Sequence, residues 1–115
     1  MTPEGKIKAA ITATLRNYGR AVYYFMPVQT GYGTATLDYL GFCCGIGFAI
    51  EAKRPKGRPS PRQQNTIEMM QEAGVRVFVI DGPVGLEELE QWLSTVIRTQ
   101  RQIAPVVHRA IRGEA

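Results

Sequence analysis

At 115 residues the chain has the length of one domain with one hydrophobic core, and it is too short for two. An apolar content of 44% is ordinary, so folding needs no disulfide or metal staple, and no stretch is long and apolar enough to span a bilayer. Fourteen Lys and Arg against ten Asp and Glu give a net charge of +4, which suits a polyanionic partner without demanding one.

Cys43 and Cys44 are adjacent, a spacing that disfavours a mutual disulfide, and two cysteines do not close a zinc site. They read as small apolar residues near a turn. Met1 to Lys8 is charged and carries no signal-peptide run. These features together lead us to expect a cytoplasmic protein.

The first element reads as a helix. Thr2 is placed to cap it, Pro3 and Glu4 suit its first turn, and Ile7, Ile11, Leu15 and Tyr18 recur at helical spacing before Gly19. Ala21 to Val28 is aromatic or branched and favours a strand, with Pro27 restricting its pairing. Gln29 to Gly33 reads as a loop. Leu37 to Cys43 and Ile46 to Lys53 form a predicted hairpin around Cys44-Gly45, so that paired residues carry numbers summing to 89. Large then meets small at Leu40–Ala49, Phe42–Gly47 and Gly41–Phe48.

Arg54 to Pro59 is a basic turn. Ser60, Pro61 and Gln63 spell a capping box for a second helix with Ile67, Met70 and Ala73 on its apolar stripe, ending at Gly74. Val75 to Ile80 reads as a short buried strand, and Asp81-Gly82-Pro83 as a turn. A last helix is expected from about Leu86 to Arg101, with Leu86, Leu89, Leu93 and Val96 inward and its charges matched to the dipole. The expected domain is 1–103, followed by a short basic tail, 104–115. The order is αβββαβα, which gives an α/β class with a mixed sheet flanked by helices.

The hairpin register also places Asp38 opposite Glu51, about 5 Å apart on one face, with Lys53 two residues further along that face. Two adjacent carboxylates repel, and one stays protonated unless a cation lies between them. Mg²⁺ answers that need: it takes hard oxygen ligands, keeps several waters and accepts a substrate phosphate. Lys53 is placed to orient an attacking water and stabilise developing charge. Arg54, Lys56, Arg58 and Arg62 are candidates for the nucleic-acid backbone. The plainer reading is an exposed ion pair on a polar sheet face. Against it, Glu51 and Lys53 close an otherwise apolar run from Ile46 to Ile50.

Two more residues join the candidates. Glu4 continues the inward stripe of the first helix, although a carboxylate there also simply favours the helix dipole. Gln63 lies on the stripe of Ile67 and Met70, and the capping box alone accounts for it; serving both roles calls for a second rotamer. His108 and Trp92 read as a solvated residue and a core or dimer contact. Tyr23, Tyr24, Tyr32 and Tyr39 flank the site region and read as packing residues.

Leu37-Asp38, then Glu51-Ala52-Lys53, then Ser60-Pro61-Arg62-Gln63 resembles the PD-(D/E)XK nuclease superfamily, with its restriction-endonuclease-like core. Phe48 to Pro55, and Gly57 to Gln63, are especially similar to the VRR-NUC family, the virus-type replication-repair nucleases. The likeness runs from Glu4 to about Ile97. It departs at Ala35-Thr36-Leu37-Asp38, where that family usually has Gly-x-Pro-Asp. The resemblance implies metal-dependent phosphodiester hydrolysis in DNA, with Asp38, Glu51 and the Ala52 carbonyl on Mg²⁺ or Mn²⁺. It implies Lys53 as catalytic lysine, and Glu4 and Gln63 as further catalytic residues. It also implies phage-type homodimers acting on branched DNA such as four-way (Holliday) junctions in replication and repair. Two rival readings are a DNA-binding protein of this fold without catalysis, and a structural subunit with an incidental ion pair.

Overall fold

The computed structural model describes residues 1–28 and 33–113, the side chains of 104–108 excepted. The loop expected from Gln29, with Tyr32, and the side chain of His108 therefore lie outside the described residues.

Helix α1 spans Pro3–Asn17, capped by the Thr2 hydroxyl, which accepts from Gly5 N at 3.0 Å. Ile11 and Leu15 are fully buried, and Ile7 and Tyr18 pack beside them, as the helical spacing predicts. A 3₁₀ turn at Gly19–Ala21 takes up the start of the expected strand, so β1 is only Val22–Phe25. Strands β2 (Tyr39–Cys43) and β3 (Ile46–Ala52) form the hairpin. Helix α2 (Pro61–Glu72), strand β4 (Arg76–Ile80) and helix α3 (Pro83–Ile111) complete the chain. The αβββαβα order is the one expected.

The four strands lie in the order β1-β2-β3-β4, antiparallel up to β3 and parallel between β3 and β4. The β2–β3 pairs run from Tyr39 with Ile50 to Cys43 with Ile46, which is the register centred on Cys44-Gly45. Both turn residues are left-handed, Cys44 at φ 51° and Gly45 at φ 85°, the signature of a two-residue turn whose twist matches the strands it joins. Both cysteines are free. Burial pushes the Cys43 thiol up to about 11, so it is a packing residue and not a nucleophile.

One sheet face lies under α1 and α3, where Tyr39, Phe48, Ile50, Phe78 and Ile80 meet Ile11, Leu15, Leu89 and Leu93. Trp92 packs edge-on against Phe48 and Phe78, with ring centroids 5.9 and 5.6 Å away. Tyr24 and Tyr39 join this core, whereas Tyr23 is exposed. The other face is covered over Leu37 and Ala49 by Ile67 and Met70 of α2.

Three expectations change. Strand β4 is an edge strand, not a buried one: Phe78 and Ile80 face the core, while Arg76 and Val79 are exposed. Ala73 is exposed past the end of α2, because the chain turns away there at Gly74. Helix α3 starts at Pro83, where a proline costs no hydrogen bond, and continues ten residues beyond Arg101 to Ile111. The basic turn at Arg98–Arg101 is not its end. Its stop is Gly113, left-handed at φ 72°, whose N–H returns to Ala110 O at 3.1 Å. Most of the expected tail is thus helical. Among the described residues no helix is long and apolar enough to cross a membrane.

Candidate active site

The site sits where β2 begins and β3 ends. Continuing the β2–β3 ladder by one pair sets Asp38 opposite Glu51. Leu37, just before Asp38, is fully buried in the cluster under α2 and fixes the approach to the strand. Asp38 Oδ2 then accepts the Ala52 backbone N–H at 2.9 Å, which ties this acid to the end of β3.

Glu51 lies on an interior strand and is only 3% exposed. Its Oε1 accepts from Gln63 Nε2 at 3.2 Å, while its buried Oε2 has no hydrogen-bond partner among the described residues. Burial, then the neighbouring Asp38 charge and a hydrogen bond that the protonated Glu51 shares with the Asp38 carboxylate, push the Glu51 carboxyl up from 4.5 to about 8, with Lys53 opposing the rise and Glu4 adding to it. This is not the exposed ion pair of the plainer reading. A buried carboxylate oxygen without a donor costs stability unless a cation or proton reaches it.

Gln63 does two jobs in one rotamer, contrary to the expectation that it would need two. Its Oε1 accepts from Ser60 N at 3.0 Å and completes the capping box, while its amide nitrogen donates to Glu51. The amide is suited to this because it carries both an acceptor and a donor. Gln63→Glu keeps the cap acceptor but removes the donor and adds a third carboxylate. The expected result is a loss of about 1–3 kcal/mol in metal-free stability above neutral pH, read by urea denaturation. An unchanged midpoint would show that the Glu51 contact carries no weight.

Lys53 is half-buried, and its backbone N–H donates to Ile80 O at 2.9 Å, so the chain is still held to the sheet there. Its side chain lines a cleft of about 430 Å³ with Thr2, Pro3, Glu4, Arg54 and Arg58. Glu4 is thus brought to the rim of the site and acts on Glu51 through charge. Among the described residues, however, no three His, Cys, Asp or Glu side chains converge enough to hold a metal together. The side-chain donors are the pair Asp38 and Glu51. That set fits a Mg²⁺-type ion, which needs few protein ligands, and the unpartnered Oε2 is the atom such an ion would satisfy.

The basic residues divide. Arg54 and Arg58 line the Glu4–Lys53 cleft. Lys56 is exposed and left-handed at φ 64°, in a turn held by Gly57 N to Arg54 O at 2.8 Å and Lys56 N to Asp81 Oδ2 at 3.1 Å. Arg62 lines a different, apolar groove with Leu40, Met69 and Met70.

One residue at the site was not anticipated. Lys8 Nζ lies 3.6 Å from Asp38 Oδ1. The only signal in the sequence is its place one helical turn after Glu4, on the same face.

No protein-family model and no curated protein matches the chain. A solved structure described as a VRR_NUC domain matches with a TM-score of 0.60 at 20% identity, covering 85% of this chain and 97% of that one. A likeness at that identity shows the fold: the chain shares the α/β fold of that VRR_NUC domain, and its four-stranded mixed sheet flanked by helices is consistent with a restriction-endonuclease-like core.

Proposed function

We propose that the chain is a divalent-metal-dependent DNA endonuclease. The observation that carries this reading is the buried Glu51 next to the half-buried Asp38, with Glu51 Oε2 left without a donor and the Lys53 charge acting on the same carboxyl. A binding module has no need to bury a carboxylate beside a second, repelling one and close to a lysine; a hydrolase does. Asp38 and Glu51, with the Ala52 carbonyl, are the residues to hold Mg²⁺ or Mn²⁺. When bound, the ion supplies Lewis-acid polarisation of a phosphate oxygen and a more acidic water.

The chain's own residues supply the rest. Lys53 directs an ammonium at the scissile phosphate and at the attacking water, where charge develops. Gln63 holds the Glu51 carboxylate in one orientation. Arg54 and Arg58, from the cleft, meet the phosphates flanking the scissile one, with Lys56 and Arg62 further out along the backbone. Glu4, at the rim, adds negative potential that favours a cation in the site. We assign the substrate as branched DNA, such as a four-way junction in phage-type replication and repair. One 12.8 kDa chain offers little surface for such a substrate, and the active species in this reading is a homodimer.

The test is cleavage of end-labelled linear, flap and four-way-junction DNA by the wild-type protein with Mg²⁺, Mn²⁺ or a chelator. The expected result is cleavage that needs metal and is fastest on a branched substrate. Binding without cleavage under every metal condition would replace this reading with a non-catalytic DNA-binding protein. Equal rates on all three DNAs would remove the structural selectivity alone.

A further inference from the structure

The fold itself brings Lys8 beside Asp38. Tyr39, the residue after Asp38, is fully buried, and its hydroxyl donates to the Lys8 carbonyl at 2.9 Å. That hydroxyl has a single proton, so the 2.9 Å contact with Thr12 Oγ1 is donated by Thr12. The backbone of α1 at Lys8 is therefore strapped to the first residue of β2. The Lys8 ammonium is held 3.6 Å from Asp38 Oδ1, and its side chain is 36% exposed against 16% for Asp38. The other Asp38 oxygen is taken by the Ala52 N–H. The Asp38 oxygen that accepts no backbone N–H is thus the one Lys8 faces.

We propose that Lys8 is a built-in counter-ion of the acid pair, which a divalent metal must displace from Asp38, so that this lysine sets the metal concentration at which the site loads. The inference rests on the metal-site reading above. The ammonium partly neutralises Asp38 while no metal is bound, and this lowers the repulsion that Glu51 feels. A divalent ion at Asp38 has to break that contact and then sits beside a positive charge. Both effects weaken metal binding relative to a protein without the lysine. A merely structural lysine predicts the reverse, since loosening the site would weaken its hold on metal.

The experiment is calorimetric titration of Mn²⁺ and of Mg²⁺ into the DNA-free protein, comparing wild type, Lys8→Gln and Lys8→Arg. Lys8→Gln is expected to bind metal roughly tenfold tighter than wild type, and Lys8→Arg to stay close to wild type. Melting of the same samples should show a lower metal-free transition for Lys8→Gln and a larger rise on adding metal. Equal or weaker binding by Lys8→Gln, with wild type binding measurably, overturns the role given to Lys8 and leaves the metal site standing. No binding by any of the three proteins overturns both.

Discussion

Lys53→Ala is expected to remove about 10²- to 10³-fold of single-turnover DNA cleavage while leaving the protein folded and able to bind metal. The separation follows from where the residue sits. The backbone of Lys53 is held by Ile80 O, and its half-buried side chain has no hydrogen bond to lose among those described, so truncation costs little stability. What disappears is a positive charge that acts on Glu51 and lines a cleft together with Glu4, Arg54 and Arg58. A charge directed at a developing oxyanion acts in the transition state more than in the bound ground state, so the loss should appear in the cleavage rate and not in DNA affinity. Arg54→Ala makes the contrast: weaker DNA binding, with a smaller salt dependence, and a cleavage rate near wild type once the DNA is saturating. Cleavage by Lys53→Ala at the wild-type rate would remove Lys53 from the chemistry.

The parts of this site that could be read from the sequence are those set by local rules. The hairpin register follows from a two-residue turn flanked by alternating apolar positions, and Asp38 opposite Glu51 is one step of that register. The Ser60–Gln63 cap follows from spacing within one helical turn. Lys8 was missed because its partner lies 30 residues away on another element, and the contact exists only because the Tyr39 hydroxyl straps α1 to β2. The double role of Gln63 was missed for a related reason. The cap is local, but the distance from α2 to Glu51 depends on how the helix seats Ile67 over Ala49. Strand β4 read as buried because Val75 to Ile80 is apolar apart from Arg76, and only the sheet order shows that, among the described residues, no strand lies beyond it. The end of α3 was misplaced because a basic last turn is weaker evidence for a helix stop than a left-handed glycine, here Gly113.

Glu51→Gln is expected to abolish metal-dependent cleavage and, in the metal-free protein near pH 8, to raise stability. The reason is the sign of the Glu51 shift. Its folded-state value of about 8 lies above the 4.5 of the unfolded chain, so between those values the folded protein holds a proton that the unfolded chain has released. The contribution of this group to stability is complete below pH 4.5 and is lost as pH rises through 8, a decline on the order of 5 kcal/mol. Glutamine cannot ionise. Its carbonyl can still accept from Gln63, and its amide can donate toward Asp38, so the variant should lose the downward slope between pH 5 and 8 while gaining about 1–3 kcal/mol at the alkaline end. Metal reverses the wild-type trend. A divalent ion binds the ionised carboxylate, so stabilisation by Mg²⁺ or Mn²⁺ grows with pH in the wild type and is lost in Glu51→Gln. Urea denaturation at pH 5, 6.5 and 8, with and without metal, separates these terms. A wild-type profile that rises from pH 5 to pH 8 without metal would mean that Glu51 is already ionised in the folded protein, held by cations within the chain. Stability is then not being sacrificed to keep an acid pair ready for metal, and the case for a hydrolytic site loses its main physical support.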